Sequence, residues 1–289
     1  MGVDSKLETG ESLRRDYIKA LHGAKRRYDD ILKKKIEEAG KLHQEGWDYY
    51  KSGLTGTVDS YGRQTGYFDS NANYTFHGLP DFSDGIFTGE SIVEACEEFR
   101  VANPDKKIMM LDAMGQGTVG VGIADEVVAT SLIPVTNAPK EVTYFTGDAL
   151  GDTVTKEVLT HLDRRAGEKF SLRFAFFRPV AGLEDYDRNL YVLHTLYQRL
   201  RDVYELMGEG GICFLQSTGP GSDIEFISKI LSDPKFADTV RVDNPPRDRL
   251  ALRKIKGLEL PSIEDILDTH PEIVRSLLRM EEADKRYRI

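Results

Sequence analysis

Residues 106–122, KKIMMLDAMGQGTVGVG, constrain the fold of this chain more than any other stretch. Residues 108–111 form a continuous apolar run of buried-strand length that ends on Asp112, and Gly115, Gly117 and Gly120 follow in G-x-G-x-x-G spacing. A strand that stops at an acid and turns on glycines leaves backbone amides bare at the carboxyl edge of a sheet, where open α/β sheets bind ligands. The glycines admit positive φ and let a ligand approach where a Cβ would collide. The same spacing also describes a plain glycine-containing turn, so its meaning depends on the rest of the chain.

The chain has 289 residues, 40% hydrophobic and 30% charged, which describes a globular protein with a sizeable core. Its apolar runs fall short of the roughly 18 residues that span a bilayer, and the first ten residues lack the layout of a secretory signal. Cys96 and Cys213 are too few for a disulfide framework or a zinc site, so both are expected to be buried thiols in a reducing, cytoplasmic setting. No H-x-x-x-H or C-x-x-C spacing proposes a metal. A net charge of −9 argues against broad polyanion binding.

Residues 11–51 read as helix, with Leu13, Tyr17, Leu21, Ala24, Tyr28, Ile31 and Leu32 on one face and Gly40 dividing it. The basic triplets 25–27 and 33–35 sit within residues 1–51, which hold 12 Lys/Arg against 10 Asp/Glu, so they read as a solvated mixed-charge face, and nucleic acid is not indicated. Residues 53–85 are rich in Gly, Ser, Asn and aromatics without sustained period. Two uses are open for them: a substrate-enclosing lid, or a strap over a hydrophobic flank.

From there strand and helix signals alternate. A helix over 87–101 leads into the central strand. The glycine turn starts a helix over 118–127. Strands are expected over 127–133, 141–146, 170–177 and 212–215, helices over 153–165, 188–207 and 226–231, and a closing pair of strands over 239–242 and 250–255. The fold class is therefore α/β, Rossmann-like: a mostly parallel seven-stranded sheet with helices on both faces, plus an N-terminal helical extension. The domain plan is an N-terminal helical region and loop (1–85), a core (86–257) and a helical tail (258–289). The tail opens with a capping box at Ser262 and Asp265 and places Pro271 in a helix's first turn. Docking on the core is its expected role, and a homodimer contact is the alternative.

Over residues 87–257 the order of pieces resembles the class I S-adenosylmethionine-dependent methyltransferases. MMLDAMGQGTVG is similar to the family's acid-ended strand and glycine loop, YFTGDAL to its third-strand motif, FAFFRPVAGL to its fourth, and LYQRLRDVYELMGEGGICFLQ to the helix, Gly-Gly turn and fifth strand. The resemblance implies S-adenosylmethionine as cofactor, with Asp112, Gly115, Gly117 and Gly120 at its methionine end. It further implies Ser131 at the ribose position, where the family carries an acid, and Asp148 with Ala149 beside adenine. Ala113 and Met114 both intervene before the first glycine, where the family usually has one residue. A second register would make 141–146 the second strand and give Asp148 the ribose role; the spacing from Gly115 favours the first.

The implied activity is methyl transfer to a nitrogen or oxygen of a small-molecule or macromolecular acceptor. His77, then Tyr74, are the candidate bases, and Arg178 at a strand end is the candidate cation for an anionic group. His161 and His194, inside helices, read as structural. A nicotinamide-dependent oxidoreductase shares the glycine signature but wants an acid about 20 residues on, where this chain reads SLIPVTNAP. A non-catalytic Rossmann-like binding or assembly module is the third reading, favoured by Ser131 and the lengthened acid-to-glycine gap.

Overall fold

The computed structural model describes residues 10–42, 57–58, 64–65, 92–113, 120–132, 134–135, 138–177, 189–216, 222–242 and 249–287. In chain order the elements are α1 (Gly10–Leu42), β1 (Thr57–Val58), β2 (Gln64–Thr65), α2 (Ile92–Ala102), β3 (Lys107–Asp112), β4 (Glu126–Ser131) and β5 (Val142–Thr146). They continue with α3 (Asp152–Gly167), β6 (Phe170–Phe177), α4 (Leu190–Leu206), β7 (Ile212–Gln216) and α5 (Ser222–Ile230). β8 (Val240–Val242), β9 (Arg249–Arg253), α6 (Ile263–Thr269) and α7 (Pro271–Tyr287) close the chain. β1 and β2 form a separate antiparallel pair.

Seven strands form one sheet in the order β5-β4-β3-β6-β7-β9-β8. β5, β4, β3, β6 and β7 are parallel, and β9 runs antiparallel to β7 and to β8. The expected α/β, mostly parallel seven-stranded sheet is thus the observed one. The first of the two registers also holds, since β4 pairs with β3 and β5 lies outside it.

β3 is apolar from Ile108 to Leu111 because both of its faces are covered there. Met109 and Leu111 join the layer made by α1 and α3–α7, whereas Ile108 and Met110 join the layer containing Ile92 and Cys96 of α2. In β6 a bulge at Arg173 changes the alternation: Met109 pairs with Leu172 and Met110 with Phe174. Phe170 and Leu172 therefore face the α1 side, while Phe174 and Phe176 face α2, where Phe176 stacks on Phe214 at 5.3 Å. The guanidinium of Arg173 lies over Phe99 and donates to the carbonyls of Glu209 and Gly210, fixing the turn before β7. Both cysteines are buried free thiols.

The helix expected over 118–127 is not formed in its described part. Gly120 to Asp125 is a turn with Gly120 and Gly122 at φ of 90° and 78°, which a right-handed helix cannot accommodate. The amides of Ile123 and Ala124 both donate to the Gly120 carbonyl. The Asp125 carboxylate accepts from the Ile108 amide, drawing the chain straight into β4. No helix lies among the described residues between β4 and β5 either, as the short spacing foretold. Gly40 does not divide α1, which continues to Leu42.

α1 packs against α4, α6 and α7, so the tail docks on the core and on the N-terminal helix together. Leu13, Tyr17, Ala20, Ala24 and Tyr28 are the buried stripe. Polar joints punctuate it: Tyr17 Oη lies 2.9 Å from His194 Nδ1, Asn189 Nδ2 donates to the Ala24 carbonyl, and Arg27 pairs with Glu281 and Asp284 of α7. Arg27, expected on a solvated mixed-charge face, is instead committed within the fold to two buried carboxylates. Asn189 also caps α4, and Ser262 with Asp265 forms the capping box of α6. At the amino end of β4, burial raises the Glu126 carboxyl. Hydrogen bonds from Arg165, His161 and Thr143 outweigh it and hold the group below the usual carboxylate range.

Burial lowers the pKa of His194 from 6.5 to about 4, so the native ring is neutral, the form able to accept from Tyr17. Above pH 6.5 neither folded nor unfolded His194 binds a proton, and below it the unfolded chain binds first. Stability should therefore fall as pH drops from 6.5 towards about 4 and then level off. Urea denaturation should show a loss on the order of 2 kcal/mol between about pH 7.5 and about pH 5 from this group. A His194→Phe variant should lack that increment.

Candidate functional site

The sheet reverses its winding between β3 and β6: the chain passes from β3 outwards to β4 and β5, then returns to β6 and continues to β7. Ligands of open α/β sheets bind at the carboxyl ends of strands at such a switch point. Here the Ala113 amide donates to the Phe176 carbonyl at 2.9 Å, closing the strands up to that level. Thr130 Oγ1 donates to the Ala113 carbonyl at 2.5 Å, so the exit of β3 is held from both neighbouring strands.

Three of the residues singled out in the sequence converge on this edge. Asp112 ends β3, Ser131 ends β4, and Asp148 follows the end of β5, on three adjacent parallel strands. Asp112 pairs with Ala129 and Phe176 and is fully buried. Ser131 pairs with Thr146, and its carbonyl accepts from the Gly147 amide at 2.7 Å. Ser131 is half-buried, so its hydroxyl lies at the rim and not in the core.

Asp148 is the best-defined polar group of the site. Its Oδ1 accepts from the Leu150 amide at 2.9 Å, a local turn bond, and from the Tyr28 hydroxyl of α1 at 2.6 Å. Burial raises the carboxyl above the usual aspartate range, and the two donors offset part of that rise. Asp148 does not cap α3: the cap position is Gly151, which offers no side-chain bond. Ala149 lines a cavity of about 30 Å³ beneath the edge, with Leu111, Ala113, Thr130, Phe177 and Arg199. That space suits a water molecule, not a nucleoside.

Gly120, third of the glycines, packs against the sheet. A Cβ there would meet Met110 Sδ at 2.5 Å and Val127 Cγ2 at 3.3 Å. Gly115, Gly117, Tyr74, His77 and Arg178 lie outside the described residues, as does most of the 53–85 loop. Among the described residues no cluster of three His, Cys, Asp or Glu side chains is arranged to hold a metal, and no helix is long and apolar enough to cross a membrane.

Sequence reading missed two residues of this edge. Tyr28 was legible only as one position of an apolar stripe, and nothing in that period reveals that its hydroxyl reaches a carboxylate 120 residues away. Thr130 was one more β-branched strand residue, its hydroxyl bond decided by the pairing of β4 with β3.

No protein-family model matches the chain, and no curated protein does. Among solved structures it is similar to the MycE methyltransferase of the mycinamycin biosynthetic pathway, in complex with Mg and SAH (8% identity, TM-score 0.34, 57% of this chain). The chain spans half of that protein's length. It is similar also to a putative ribosomal RNA methyltransferase from Plasmodium falciparum (10%, TM-score 0.36, covering 57% of this chain and 98% of that one). A third is human methyltransferase-like protein 13 in complex with SAH (10%, TM-score 0.33, covering 60% and 82%).

Gly120→Ala should destabilise the protein by about 2 kcal/mol, combining a strained positive φ with overpacking against Met110. Denaturant unfolding measures it; a loss under about 0.5 kcal/mol would contradict both the strain at positive φ and the contact with Met110.

Proposed function

We propose that this chain is a methyltransferase that takes its methyl group from S-adenosylmethionine and passes it to a nitrogen or oxygen acceptor. The observation that carries the reading is the alignment of Asp112, Ser131 and Asp148 across the carboxyl ends of three adjacent parallel strands, beside the switch point. The sheet is compatible with it: five parallel strands present their carboxyl ends on one edge, and only β9, between β7 and β8, runs reversed.

The described residues fit the adenosine end of such a cofactor. Among them none donates to Oδ2 of Asp148, which leaves that oxygen as an acceptor for an amine. Ser131 offers a neutral hydroxyl to a ribose, a weaker grip than the two oxygens of an acid. The cofactor supplies a methyl group on a positively charged sulfur. The chain's part is to hold the two reactants in line and exclude water, and orientation of this kind accounts for roughly 7–11 kcal/mol in favourable models. Tyr74, His77 and Arg178 are the proposed acceptor-side groups.

A non-catalytic module is the second reading. Its support is specific: Asp112 is fully buried, and the segment expected to aim a helix N-terminus at the ligand is a turn at 120–125.

Calorimetric titration with S-adenosylmethionine and, separately, with NAD decides between them. Saturable binding of the methyl donor without NAD binding is expected. Asp148→Asn should weaken it about tenfold, the share of one charge-assisted hydrogen bond. A folded protein that binds neither ligand belongs to the second reading.

A further inference from the structure

Asp148 holds its two donors asymmetrically. Both the Leu150 amide and the Tyr28 hydroxyl address Oδ1, and Oδ2 receives no hydrogen bond from the described residues. The amide bond belongs to the turn and forms wherever that turn forms. The hydroxyl is different, because it is delivered by α1 from outside the sheet. Tyr28 is 5% exposed, with its ring packed at 5.1 Å against Tyr191 of α4. The backbone is anchored one turn earlier, where Asn189 donates to Ala24, and the neighbouring Arg27 is tied to α7. The direction of the hydroxyl is therefore fixed by two other helices.

A carboxylate has about four acceptor directions, and a single local bond leaves it free to rotate about its χ angle. Two donors from different elements on one oxygen set the plane of the group and hence the direction of the other oxygen. We propose that Tyr28 is a positioning residue of the nucleoside subsite: by clamping Oδ1 of Asp148 it aims Oδ2 at the exocyclic amine of a purine. The proposal rests on the reading that Asp148 meets adenine, and it makes the N-terminal helix part of base selection. An oriented acceptor favours a 6-amino purine, which donates, and disfavours a 6-oxo purine, whose own lone pairs face it. Sites built to pair with a specific hydrogen-bonding group reject analogues that lack it far more sharply than apolar pockets do.

The test is calorimetric titration of the full chain with S-adenosylhomocysteine and with its 6-oxo counterpart, S-inosylhomocysteine. The unmodified protein is expected to prefer the amino ligand by about tenfold or more. Tyr28→Phe, which keeps the ring and its packing, should shrink that preference to about threefold or less while changing affinity for the oxo ligand by under about twofold. Asp148→Asn should also erase the preference, and adding Tyr28→Phe to it should change the ratio no further, the non-additivity expected of one unit. A Tyr28→Phe protein that melts earlier but keeps the full preference overturns the proposal and leaves Tyr28 as an anchor for α1. Equal binding of both ligands by the unmodified protein overturns it while sparing the cofactor reading. Binding of neither ligand overturns both.

Discussion

A strand with strands on both sides and apolar residues on both faces must be covered above and below, and β3 is that strand. β4 beside it and β5 beyond β4 are reached through connections, 113–125 and 132–141, that show no helix among their described residues. Parallel strands ordinarily return through a helix packed on the sheet. Here the described cover of one face includes α2, placed before β3 in the chain, and the other face collects α1 and α3–α7. Helices from outside the crossovers, α1 and α2 before β3 and α6 and α7 after β9, thus share the cover with the crossover helices α3 and α4. Gly120 matters for the same reason, since a chain crossing so directly must pass close to the sheet.

How α1 is held follows from its burden. An apolar stripe alone would bind it by area, and area tolerates sliding by a turn. The joints at Tyr17, Ala24, Arg27 and Tyr28 do not, because each partner sits at one place on α4, α7 or the β5–α3 turn. Paired buried charges such as Arg27 with Glu281 add little net stability compared with apolar packing, but they penalise every other register. The lowered basicity of His194 belongs to the same seam, since a neutral ring is the form that accepts from Tyr17.

Much of this was legible beforehand, and the reasons are local. β6 was readable over 170–177 because it is a short run rich in phenylalanine that ends, in the sequence, at Arg178-Pro179. The last helices announced themselves through Ser262, Asp265 and Pro271. The helix expected after the glycines was misread because Val121, Ile123 and Ala124 supply apolar spacing that a turn satisfies equally well. Gly120 and Gly122 both sit at positive φ, and at Gly120 a Cβ would also run into Met110 and Val127, contacts that neighbours in the chain do not reveal. At the candidate site Asp112 could be named as the acid that ends a strand, and Ser131 and Asp148 through the family resemblance. The bond between Asp148 and Tyr28 could not, as it depends on how a distant helix is docked.

The bulge at Arg173 has a consequence for comparing this chain with others. It makes β6 two half-strands of opposite parity, so the inward residues before and after it follow different rules of even and odd numbering. A protein with the same sheet but a regular fourth strand must differ by a single insertion or deletion inside a strand, where gaps are least expected. An alignment that refuses that gap sets Phe174 and Phe176, which pack towards α2, against positions that pack towards α1. Structural kinship in such a case outlasts what letter-by-letter matching can recover.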